Sequence, residues 1–86
     1  MEVILTKQAL SDIETWLHTD VKVLKKVLKL LKEIAKTPFE GIGKPEPLKH
    51  ELSGCWSRRI TDEHRIVYEL TENGIIIHSC LGHYEA

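Results

Sequence analysis

Residues 55–70 read CWSRRITDEHRIVYEL, and the way this stretch folds back on itself decides which side chains the molecule hides. Cys55–Thr61 and Arg65–Leu70 are both β-prone and meet around Asp62-Glu63, so together they predict a hairpin. An even-numbered loop would put Ile60 and Arg65 on one face and mix charged with apolar residues on both. An odd-numbered loop gathers Trp56, Arg58, Ile60, Ile66, Tyr68 and Leu70 on one face, and Ser57, Arg59, Arg65, Val67 and Glu69 on the other. Because register is set by the face that is buried, the second arrangement is expected. It leaves Arg59 and Arg65 side by side on the open face.

Working outward toward the C-terminus, Asn73-Gly74 signals a tight turn. The apolar run Gly74–Leu81 that follows predicts a buried strand, which ends in Gly82-His83-Tyr84. Toward the N-terminus, Pro38–Gly54 has too few apolar residues for a regular element and reads as a long loop, of the kind that carries function. Within it Pro45 and Pro47 restrict the backbone on either side of Glu46, which fixes the direction of that carboxylate.

Val21 to about Thr37 predicts an amphipathic helix with Leu24, Val27, Leu28, Leu31, Ile34 and Ala35 as its apolar stripe, ended by Pro38. Lys22, Lys25, Lys26, Lys29, Lys32 and Lys36 form a second stripe interrupted by Glu33. Such a stripe suits either a solvated helix face or a surface that attracts a polyanion. A shorter helix runs from Thr6 as N-cap to about His18, with Ala9, Leu10, Ile13, Trp16 and Leu17 inward and Asp12 and Glu14 pointing elsewhere. Thr19-Asp20 joins the two helices with a fresh cap, and Val3–Leu5 is the first strand. The order is β-α-α-β-β-β. This is an α+β architecture, a two-helix hairpin packed on one face of a small, mainly antiparallel sheet, and residues 1–86 are expected to be one domain.

Composition bounds the function classes. A chain of 86 residues buries only roughly 60–65% of its unfolded surface, so the core is small. No run of about 18 apolar residues exists to span a membrane. MEVILTKQ lacks the features of a secretion signal, so Cys55 and Cys80 read as free, partly buried thiols in a reducing cytoplasm. Cys80 and His83 have the spacing of two metal ligands, but no second CxxC or HxxxH completes a set, so neither metal nor cofactor is expected. There is no glycine-rich nucleotide motif and no GxSxG.

Between Gly43 and Tyr68, Lys44, Glu46, Lys49, His50, Arg58, Arg59, His64 and Arg65 crowd into one segment, and a phosphate is the natural ligand for it. RNA can be cut without a metal if a base takes the 2′-hydroxyl proton, an acid protonates the departing 5′-oxygen, and cations stabilise the phosphorane-like transition state. Glu46 is the candidate base, His83 the acid and Arg65 the electrostatic clamp. Lys44, Lys49 and Arg59 are candidates to hold neighbouring phosphates, and Tyr84 to stack on a base or orient the phosphate. His50, His64 and His78 read as structural or surface residues. Spacing alone leads no further than a small α+β protein that binds RNA.

The segments TPFEG (37–41), GKPEPLK (43–49), LSG (52–54), WSRRI (56–60), EHR (63–65), Val67-Tyr68 and the terminal His83-Tyr84 together resemble the YoeB/Txe family of toxins, within the RelE superfamily. The resemblance covers nearly the whole chain. It implies the toxin of a type II toxin–antitoxin pair, a ribosome-dependent endoribonuclease that cleaves mRNA in the A site and halts translation. Glu46 matches the family's general base, Arg65 its transition-state stabiliser and His83 its general acid, and Lys49, Arg59 and Tyr84 match positions of substrate contact or catalytic support. The implied product is a 2′,3′-cyclic phosphate. The implied partners are a partly disordered YefM/Axe-like antitoxin, the ribosomal RNA and mRNA, and a second copy of the chain, with the lysine helix as a docking face for ribosomal RNA. The alternative is a module of the same fold that binds RNA or antitoxin without cutting.

Overall fold

A computed structural model describes residues 1–82; residues 83–86 lie outside it. Strand β1 (Val3–Leu5) leads into helix α1 (Lys7–Thr19) and helix α2 (Val21–Lys36). Strand β2 (Glu46–Pro47), a single 3₁₀ turn (His50–Leu52), β3 (Cys55–Arg59), β4 (Arg65–Thr71) and β5 (Gly74–Ser79) follow. The five strands form one sheet in the order β1-β5-β4-β3-β2. Only β1 and β5 run parallel, a pairing that the long connection through α1 and α2 permits.

The caps form as their residue types dictate. Thr6 Oγ1 accepts from the Ala9 N–H at 3.0 Å and donates to the His78 carbonyl at 2.9 Å, which ties the start of α1 to β5. The Asp20 N–H closes α1 on the Trp16 carbonyl, and the Asp20 carboxylate accepts from Lys22 N and Val23 N to open α2. Val27, Leu30 and Ile34 of α2 pack with Ala9 and Trp16 of α1 on Ile60, Ile66, Tyr68, Ile75 and Ile77 from the sheet. The buried face of α2 is thus rotated from the expected stripe: Leu30 is fully buried and Leu28 is exposed. Leu10 and Leu17 of α1 are exposed as well. The helix pair is narrower in contact than its apolar content, since one side of each helix meets the sheet and the flanks meet water.

The hairpin register is the odd-numbered one, with Arg59 opposite Arg65, Arg58 opposite Ile66 and Trp56 opposite Tyr68. Two further expectations fail. The Pro38–Gly54 segment is not without regular structure, because Glu46 pairs with Ser57 and Pro47 with Trp56. Prolines are tolerated there because β2 is an edge strand, where an N–H can be missing. Asp12 does not point away from the core: it is buried, accepting from the Cys80 N–H at 3.0 Å and from Gln8 Nε2 at 2.8 Å. The end of β5 has a backbone donor with no strand beside it, and α1 crosses at the right height to supply an acceptor. Trp16 Nε1 donates to the Cys80 carbonyl at 2.8 Å, so α1 side chains hold both polar groups of that residue.

Burial, reinforced by the Asp12 carboxylate, pushes the Cys80 thiol up to about 12. The unfolded thiol titrates near 9, so above that pH the unfolded state loses a proton that the folded state keeps. Stability from this group is therefore intact below pH 9 and falls as pH rises toward 12, by up to about 1.4 kcal/mol per pH unit. Urea denaturation between pH 9 and 11 is expected to show this slope, and Cys80→Ala to remove its share. Equal slopes in the two proteins would refute the assignment.

Candidate active site

β2, β3 and β4 bring the first two site residues together. Glu46 stands opposite Ser57, and Ser57 shares the open face of the hairpin with Arg59 and Arg65. The Arg65 side chain is nearly buried: Nε donates to Ser57 Oγ at 2.9 Å, and Nη2 lies 3.2 Å from Glu46 Oε1. Glu46 keeps 47% of its side chain exposed, so the pair is a guanidinium seated in the sheet beneath a carboxylate that faces solvent. Arg59 is exposed beside it.

Lys44 and Lys49 are exposed on either side of β2 and make no ion pair with Glu46 among the described residues. Lys44 holds a positive φ of 50°, a conformation a side chain rarely adopts, as the chain turns from Gly43 into β2. His83 and Tyr84 lie outside the described residues. The segment that leads to them is fixed up to Gly82, whose N–H donates to His64 Nδ1 at 2.9 Å and whose carbonyl accepts from the Arg65 N–H at 2.9 Å. The His64 ring rests edge-on against Trp16 at 4.7 Å.

Support for Glu46 comes from Arg58, which the hairpin register places on the helix side. It is fully buried, and its guanidinium donates to the Tyr68 hydroxyl at 3.2 Å and to the carbonyls of Ile42 at 3.3 Å, Glu40 at 2.8 Å and Thr37. The Tyr68 hydroxyl donates in turn to the Pro38 carbonyl. One side chain thereby gathers the turn that carries the chain from α2 toward Glu46. Gly43 closes that turn against β3, accepting from the Arg59 N–H at 2.7 Å, and a Cβ there would lie 3.0 Å from the Arg59 carbonyl oxygen.

Sequence reasoning counted Arg58 and His64 in the charged segment but gave neither them nor Ser57 a role in holding the site together. The signal for Ser57 was present, since the register argument set it on the same face as Arg59 and Arg65. His64 carried no such signal, because its partner Gly82 is 18 residues away.

The description "YoeB-like toxin of bacterial type II toxin–antitoxin system" fits residues 5–84 of this sequence. The chain belongs to this family. Toxin YoeB of Escherichia coli (strain K12) is 50% identical over 84 residues, which is 98% of this chain and 100% of that protein. Among solved structures, a YoeB/ParE toxin from Agrobacterium tumefaciens superposes with a TM-score of 0.92 at 42% identity, covering 98% of this chain and 100% of that one. The YoeB dimer from Staphylococcus aureus does so at 0.89 and 45%, covering 98% of each. The Staphylococcus aureus YoeB–YefM complex matches at 0.86 and 44%, again over 98% of each chain. Glu46, Arg59 and Arg65 share one face of the sheet. It is the polar side of a sheet whose other side is closed by the helices.

Proposed function

We propose that the chain is a ribosome-dependent endoribonuclease that cuts mRNA in the ribosomal A site. The observation that carries this reading is the contact between Glu46 and an Arg65 guanidinium pre-positioned by Ser57. In the reaction Glu46 takes the 2′-hydroxyl proton and the 2′-oxygen attacks the adjacent phosphorus. Arg65 stabilises the charge on the phosphorane-like transition state, at little reorganisation cost because its guanidinium is already held. His83 protonates the departing 5′-oxygen, leaving a 2′,3′-cyclic phosphate and a 5′-hydroxyl. The Gly82 backbone bonded to His64 and Arg65 supports this role, because it anchors the residue just before His83 beside the clamp. Arg59, Lys44 and Lys49 hold flanking phosphates, and Tyr84 stacks on a base or orients the phosphate.

The same reading makes the chain a single-domain protein that works in the cytoplasm, where its substrate is. Among the described residues no helix is long and apolar enough to cross a membrane. The solved Staphylococcus aureus YoeB dimer and YoeB–YefM complex support a homodimer and a YefM-like antitoxin as partners. The lysines of α2 are exposed, as a face docking on ribosomal RNA needs.

The test is a reconstituted translation reaction in which mRNA 5′ ends are mapped. New 5′ ends within the A-site codon are expected with the wild type, reduced by about 10²–10⁴ in rate by Glu46→Gln or His83→Gln. Stalled ribosomes without new ends would mean a non-catalytic binding module.

A further inference from the structure

The sheet face that carries Glu46 and Arg65 holds a second group of polar side chains further along the strands. Cys55 on β3 stands directly opposite Glu69 on β4. The β4–β5 ladder runs in step from Thr71 opposite Gly74 to Tyr68 opposite Ile77, then slips so that Val67 meets Ser79. His78 is the extra residue at that slip, and such a bulge re-aims a side chain. Its Nε2 lies 2.9 Å from Glu69 Oε1. One donor atom from each of Cys55, Glu69 and His78 falls within 4.8 Å of the other two. Cys55 is buried, and Glu69 and His78 are half-buried. The three edge a cavity of about 380 Å³ to which Gln8, Glu51 and Ser79 also contribute.

We propose that Cys55, Glu69 and His78 form a binding site for a divalent transition metal of the zinc class, with the fourth position open to the cavity. Sulfur, imidazole nitrogen and carboxylate oxygen are the zinc donor set, and three protein ligands plus one exchangeable position is an established zinc arrangement. Hard cations such as magnesium and calcium take all-oxygen sites and would not use the thiol. Zinc bonds of about 2.0–2.3 Å in a tetrahedron set the donors roughly 3.5 Å apart. The triad, whose donors lie within 4.8 Å of one another, therefore needs shifts of about an ångström.

The competing use of the thiol is as a nucleophile. Burial and the Glu69 charge both push Cys55 up, which disfavours a free nucleophilic thiolate, whereas a bound dication deprotonates its coordinating thiol outright. Because its donors come from β3, β4 and β5, the metal cross-links three neighbouring strands. None of the ligands belongs to the proposed cleavage set, so the site acts on stability and on the shape of this face.

The test uses the full chain with Co²⁺ and Zn²⁺. One equivalent of Co²⁺ is expected to give a thiolate-to-metal charge-transfer absorption that Zn²⁺ displaces. Saturating Zn²⁺, at about 100 times its dissociation constant, should raise the thermal midpoint by roughly 10–20 °C. Cys55→Ser should abolish the absorption. His78→Ala, at a half-exposed position that folding tolerates, should weaken binding more than about tenfold, since even outer-shell changes at zinc sites cost about 10–100-fold. Cys80→Ala should leave both signals in place. Co²⁺ binding without the thiolate absorption, or binding unchanged in His78→Ala, would overturn the proposal.

Discussion

Arg58→Met is expected to remove a large share of the stability of the fold. Methionine retains the apolar length of the side chain but cannot donate, so the carbonyls of Thr37, Glu40 and Ile42 lose a shared donor. Each buried acceptor left unsatisfied costs about 1–3 kcal/mol, and breaking a buried charged network costs about 3–5 kcal/mol in all. A chain of this length holds only about 4–13 kcal/mol. Arg58→Lys should rescue little, because an ammonium cannot spread over carbonyls in a planar fork. Urea denaturation measures the loss, and amide exchange across residues 37–43 should show where it falls. The Tyr68 hydroxyl supplies a local signature. Burial raises its pKa, and the Arg58 hydrogen bond and charge oppose that rise, so the variant should titrate higher. A loss below about 1 kcal/mol would mean that water serves those carbonyls as well as the guanidinium does.

Arg65→Ala is expected to lower mRNA cleavage by about 10²–10³, the usual effect of deleting one pre-positioned electrostatic donor. Arg65→Lys should recover part of the rate but not all of it. A single ammonium cannot meet Ser57 Oγ from one side of a fork and Glu46 from another. Ser57→Ala should fall between, since it keeps the guanidinium and releases its Nε. Single-turnover cleavage on programmed ribosomes separates these cases. Near wild-type turnover in Arg65→Ala would end the electrostatic assignment, while ribosome binding in the same assay reports whether the variant still docks.

Local pattern carried much of this fold. Thr6 and the pair Thr19-Asp20 declared the helix starts, and the alternation of Trp56, Arg58 and Ile60 with Ser57 and Arg59 settled the hairpin register. What the sequence hid was mostly non-local. Leu28 and Leu30 are equally apolar and both fit a helical period, so only the angle at which α2 lies on the sheet chooses Leu30. Asp12 looks like any surface acid until Cys80, 68 residues away, presents it with a backbone donor. The Cys55, Glu69 and His78 donors sit on three strands and become neighbours only through the pairing and the slip between β4 and β5. Within the candidate site, register foresaw Arg59 beside Arg65. The Glu46–Arg65 contact needed β2 as well, and composition argued against any strand between two prolines.

The Glu46–Arg65 contact has a consequence for the idle protein. A carboxylate and a phosphate offer a guanidinium much the same pair of oxygens. In the free chain Glu46 therefore acts as an internal decoy, occupying the seat at Arg65 that the scissile phosphate takes in the proposed reaction. In that proposed reaction RNA evicts the decoy, and the evicted carboxylate is the proposed base. On the proposed mechanism arming and loading are one event, and a molecule without a properly held substrate rests with its safety on.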